Sequence, residues 1–100
     1  MNRDFRFLVY RSANEDVSVN AIIKDETVWL TQKGMAALFG VNIPAVSKHL
    51  HNIYEEGELR RDTTVSRMEI VQTEGERTVR RNVDLYNLDA IVFLESINLR

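Results

Sequence analysis

An α+β domain is the architecture that three features of this 100-residue chain predict. Two stretches of β-branched residues each flank a turn signal, a central pair of amphipathic segments meets at Gly40, and the last apolar stretch follows a helix-capping residue. At 44% hydrophobic content the chain suffices for one domain over residues 1–100, burying about two thirds of its unfolded surface, and a second domain does not fit.

The alternation of Val17, Val19, Ala21 and Ile23, a turn near Lys24, Asp25 and Glu26, and the run Thr27 to Leu30 predict an N-terminal β-hairpin. Phe5 to Tyr10 offers a further strand or an extended arm. Thr31 then caps a helix from about Gln32 to Phe39, with Met35, Leu38 and Phe39 facing the core. Gly40 stands where a helix end needs a left-handed residue, and Val41 folds beneath that turn. Asn42 caps the next helix, at about 43–53, and Pro44 sits in its first turn, where a missing N–H breaks no bond.

Val46, Leu50 and Ile53 line one side of this second helix, with His49 at its edge. Pro44, Ser47, Lys48, His51 and Asn52 fall on the other side, which has little to bury. Small Ala36 and the short Gly40 connection fit a helix-turn-helix, although two helices that merely pack give the same pattern.

A second hairpin is expected from Arg67 to Tyr86, turning at Glu74 and Gly75. Asn87 then caps a closing helix, with Asp89 in its first turn and Leu88, Ile91, Val92, Phe93 and Leu94 as a broad apolar surface. Strands, helix-turn-helix, hairpin and closing helix follow in the order of a winged helix-turn-helix-like domain, in which the second hairpin is the wing.

That order defines a candidate interface with double-stranded DNA: Gln32, Lys33, Asn42, Ile43, Pro44, Ser47, Lys48, His51 and Asn52 on the helices, and Arg77, Arg80 and Arg81 on the wing. Lys48 can donate to guanine edges or to phosphate, whereas Ile43 offers only apolar contact. The arginines suit phosphates, or alternatively protect a solvated strand from edge-to-edge pairing. With a net charge of -2 and pI near 5.7, any DNA-binding face must be local, so a homodimer or another regulator protein is an expected partner.

Other chemistry finds little footing. His49 and His51 are two apart and diverge on a helix, Glu55, Glu56 and Glu58 read as a solvated turn, and no phosphate loop or nucleophile motif stands out. Neither metal nor cofactor is expected, nor is an enzyme. Trp29 and Tyr86 have the flat faces that stack on bases, but their apolar neighbours favour a core role. The absence of cysteine and of any targeting or membrane-spanning run points to the cytoplasm.

The segment "DETVWLTQKGMAALFGVNIPAVSKHLHNIYEEGEL", followed by "YNLDAI", resembles the N-terminal region of the RhuM-type virulence protein family and, distantly, phage antirepressor N-terminal domains. The likeness covers roughly Asp25 to Ile91. It implies a winged DNA-binding module of a mobile or phage-like element, and a longer parent protein from which this chain is cut down. Asn42 and Ile43 stand where the family has small or polar residues, often serine and arginine, and Ala45 where it has a threonine-like one. Base preference therefore does not carry over.

Overall fold

Asp25 and Glu26 form a two-residue turn, each with positive φ (52° and 62°), and so close strand β2 (Asp16–Lys24) onto strand β3 (Thr27–Trp29). Such a turn matches the right-handed twist of the strands it joins. Strand β1 (Asp4–Arg11) pairs antiparallel with the other edge of β2, giving a three-stranded sheet in the order β1-β2-β3. These features belong to a computed structural model that describes residues 4–11 and 16–97.

Helix α1 (Gln32–Phe39) starts where Thr31 Oγ1 accepts the Gly34 N–H at 3.0 Å. It stops at Gly40, whose φ of 69° lets its own N–H and that of Val41 return to the Ala36 carbonyl. Asn42 Oδ1 takes the Ala45 N–H at 2.8 Å to open helix α2 (Ile43–Glu55), two residues longer than the spacing predicts. Gly57 ends that helix with φ of 74°, the Glu58 N–H returning to the Ile53 carbonyl, so Glu55, Glu56 and Glu58 surround a helix stop in solvent.

A four-residue helix α3 (Arg61–Thr64) follows, which the sequence pattern does not predict. It leads into strand β4 (Val65–Glu74), joined through Gly75 and Glu76 to strand β5 (Arg77–Tyr86). Helix α4 (Leu88–Ser96) is capped by Asn87, whose Oδ1 accepts the Ala90 N–H. Among the described residues one backbone bridge joins the two sheets. Leu30 and Tyr86 exchange both backbone hydrogen bonds, at 3.0 and 2.8 Å, tying the base of the β4–β5 hairpin to the end of β3.

Two apolar clusters follow from these connections. The larger gathers Val19 and Ala21 from β2, Met35, Ala36 and Leu38 from α1, Val46, Leu50 and Ile53 from α2, and Ala90, Ile91 and Leu94 from α4, around Leu30 and Tyr86. The smaller packs Ile22 and Trp29 against Met68 and Leu85. Trp29 and Tyr86 are both core residues, so neither is presented for base stacking.

The broad apolar surface expected of helix α4 is divided between core and solvent. Its buried residues are Ala90, Ile91 and Leu94, whereas Leu88 and Val92 remain 46% and 52% exposed because they lie on the flank turned from the core. Among the described residues no helix is long and apolar enough to cross a membrane.

Candidate nucleic-acid interface

The helical step of about 100° that buries Val46, Leu50 and Ile53 leaves Pro44, Ser47, Lys48, His51 and Asn52 exposed together on α2. Ile43, 44% exposed, extends this face at its N-terminal end. Lys48 has no ion pair among the described residues, while His51 Nε2 lies 3.9 Å from Glu55 Oε1, a solvent-exposed contact of little energetic weight. Asn42 is exposed, with its carbonyl oxygen used for capping and its amide N–H₂ left to donate outward.

The two candidate residues at the start of α1 stand apart from this face. Gln32 is half-buried and donates its side-chain amide to the Tyr86 hydroxyl at 3.0 Å, so it anchors the hairpin base instead of facing outward. Lys33 is exposed and lines a groove that no α2 residue borders.

The hairpin arginines do not form one stripe. Strand side chains alternate, so Arg77 and Arg81 share a face with Glu74 and Ile70 opposite them, and Arg80 lies on the other face opposite Val71. Two of the three are already in ion pairs: Arg81 meets Glu74 through two bonds of 2.9 Å, and Arg80 reaches Glu69 at 3.4 Å. The hydrogen bonds from Arg81 hold the Glu74 carboxyl below its ordinary range, and Glu74 in turn raises the Arg81 guanidinium above its own. From β4 to β5 four arginines are offset by four carboxylates, and Arg80 and Arg81 reach phosphates only by exchanging their partners.

What holds the hairpin against the helix pair is a polar joint that no motif in the sequence announces. Tyr54, one residue past the apolar stripe of α2, bonds through its hydroxyl to Thr64 Oγ1 at 2.7 Å, and its ring lies 6.5 Å from that of Tyr86. Arg61 stacks over Tyr54 at 5.2 Å and reaches Asp84 on β5 at 3.6 Å, where Arg67 also converges at 3.2 Å. Asn87 adds backbone and side-chain bonds to the carbonyls of Thr64 and Thr63. The end of the candidate reading helix is thereby connected to the base of the hairpin through α3.

Among the described residues no cluster of three or more histidines or acids could hold a metal ion. His49 is half-buried and His51 exposed, as their spacing on the helix predicts. No family model, curated protein or solved structure matches this chain, so a functional reading stands on its residues and their geometry.

Proposed function

We propose that the chain is a DNA-binding regulatory module of the winged helix-turn-helix kind, with α2 entering the major groove of double-stranded DNA and the β4–β5 hairpin lying along the backbone. The observation that carries this reading is the α2 face of Pro44, Ser47, Lys48, His51 and Asn52, which is exposed, rich in hydrogen-bonding groups and clear of the core. The bridge from Leu30 to Tyr86 supports it too, because it places the strand before the helix pair beside the return strand of the hairpin. An origin on a mobile or phage-like element is part of the same proposal and rests on the likeness to the RhuM-type family.

Lys48 is the single permanent cation of that face, and the hairpin is charge-balanced. Each phosphate neutralised contributes roughly -0.9 to the slope of log K against log salt, so a shallow slope of about -1 to -3 is expected for one copy. Fluorescence anisotropy with a labelled random-sequence duplex at low and moderate salt tests this, with Lys48→Ala measured beside the native chain. Absence of binding at low salt, or identical curves for the two proteins, sinks the proposal.

A second reading, a protein-interaction or antirepressor-like module, is favoured by one observation. Leu88 and Val92, one helical turn apart on α4, are about half exposed and form an apolar strip that the core does not cover. Sedimentation separates the two readings: a strict monomer that binds DNA tightly counts against the interaction module.

A further inference from the structure

Between the two hairpins and α1 lies a groove of about 360 Å³ that the DNA-binding reading leaves unused. Ile22 and Trp29 wall it from the first sheet, Lys33 and Ala37 from α1, and Ile70 and Val83 from the β4–β5 hairpin. The volume falls at the lower end of the roughly 300–1,000 Å³ range of small-molecule sites. Trp29 is mostly buried, donates its indole N–H to the Lys24 carbonyl at 3.1 Å and carries the Lys24 ammonium over its ring at 5.0 Å, so only the small remaining part of the ring offers apolar contact to the groove. Among the described residues Lys33 is the one charged side chain in the lining, which also holds the polar Asn20 and Thr31, and it is exposed.

We propose that this groove binds a small amphipathic carboxylic acid, its apolar body against Trp29, Ile70 and Val83 and its carboxylate on the Lys33 ammonium. The charge of the lining argues for that occupant. A single described cation in a lining that is more apolar than polar suits one carboxylate, whereas a phosphate-rich ligand requires several converging donors. A purely apolar ligand of the same shape gains nothing from Lys33. Because the walls come from β2–β3, α1 and β4–β5, an occupant bridges all three and stabilises their arrangement by mass action.

Trp29 is the only tryptophan in the chain and lines the groove, so its emission reports occupancy directly, without DNA. The probe is 4-phenylbutyrate, titrated beside its uncharged counterpart 4-phenylbutanol, with thermal melting as a second readout. Saturable change in emission is expected, with the acid binding about two- to fivefold more tightly, the range for an exposed charge pair. Lys33→Met should abolish that difference, and Ala37→Phe, at an exposed helical position, should block both compounds while the chain still melts cooperatively.

Absence of a saturable change, equal affinity for acid and alcohol, or undiminished binding by folded Ala37→Phe protein overturns the proposal. Sedimentation covers the remaining occupant. A dimer that Ala37→Phe dissociates and phenylbutyrate does not would assign the groove to a second copy of the chain instead.

Discussion

The Tyr54 hydroxyl donates to Thr64 Oγ1, and the chemistry of the neighbours fixes that direction. Thr64 Oγ1 also lies 2.6 Å from the Arg60 carbonyl, which can only accept, so the threonine proton goes there and the tyrosine proton must come to Thr64. The chain from Tyr54 through Thr64 to Arg60 therefore has one polarity, and its two side chains are not equivalent.

Removing the donor is expected to cost less than removing the acceptor. Tyr54→Phe leaves Thr64 still bonded to Arg60 and should lower stability by about 0.5–1.5 kcal/mol, the usual net value of a hydrogen bond. Thr64→Val strands the half-buried Tyr54 hydroxyl and removes the bond to the Arg60 carbonyl, for a cost of about 1–3 kcal/mol. Urea denaturation of both variants measures the difference, and equal losses would contradict the assigned polarity.

Alkali should act through the same residue. Burial is the main cause that raises Tyr54 above the ordinary phenol value of 10.0. A raised folded-state value means that the contribution to stability is complete below pH 10.0 and is lost as pH rises through the folded value. Melting temperatures of the native chain and Tyr54→Phe between pH 9 and 11 should converge, since the variant lacks this component.

Gly40 should be far less replaceable than its open surroundings suggest. A Cβ there meets nothing within 4 Å, yet the φ of 69° is unfavourable for an L side chain. Gly40→Ala is expected to cost about 1–2 kcal/mol by backbone strain alone, whereas Gly40→Asn should cost less. A chemical denaturation series reads this directly, and an alanine variant of native stability would show that the turn relaxes.

The β2–β3 turn should be improvable. Asp25 and Glu26 both hold positive φ without being glycine, a conformation that Asn-Gly adopts far more readily. Replacing the pair by Asn-Gly relieves positive-φ strain that exceeds the added unfolded-state entropy of glycine, and is expected to raise stability by about 0.5–1 kcal/mol, seen as a higher denaturation midpoint with an unchanged slope.

Acid should loosen the hairpin tip. Because Arg81 lowers the Glu74 carboxyl below 4.5, that contribution is present above the ordinary value and is lost as pH falls through the lower folded one. Both groups lie in solvent, so the expected readout is local: lower amide protection near Gly75 below pH 4, relative to the intrinsic exchange rate at each pH. In Arg81→Gln, the Glu74 carboxyl should titrate near its ordinary value when followed by NMR.

Local grammar made much of this fold legible. Thr31, Asn42 and Asn87 cap helices because short polar side chains reach free N–H groups, and Gly40 and Gly75 mark reversals where φ must be positive. The exposed face of α2 was equally readable from spacing. Hidden from that grammar were long-range matters: α3, the Tyr54–Thr64–Arg60 chain, and the turning of Gln32 onto Tyr86, 54 positions away. Strand alternation was enough to separate Arg80 from Arg77 and Arg81, but their pairing with Glu69 and Glu74 depends on register that only the folded hairpin fixes.

The bridge between Leu30 and Tyr86 also bears on the order of folding. Both candidate helices, α3 and the whole β4–β5 hairpin lie between those two residues, so their union closes a long loop whose entropy must be overcome before the contact yields anything. The capped helices and the hairpin rely on neighbours close in sequence and can form early. Loop closure places the clasp at Leu30 and Tyr86 late in folding as an expected order, and a substitution at that bridge should speed unfolding more than it slows folding.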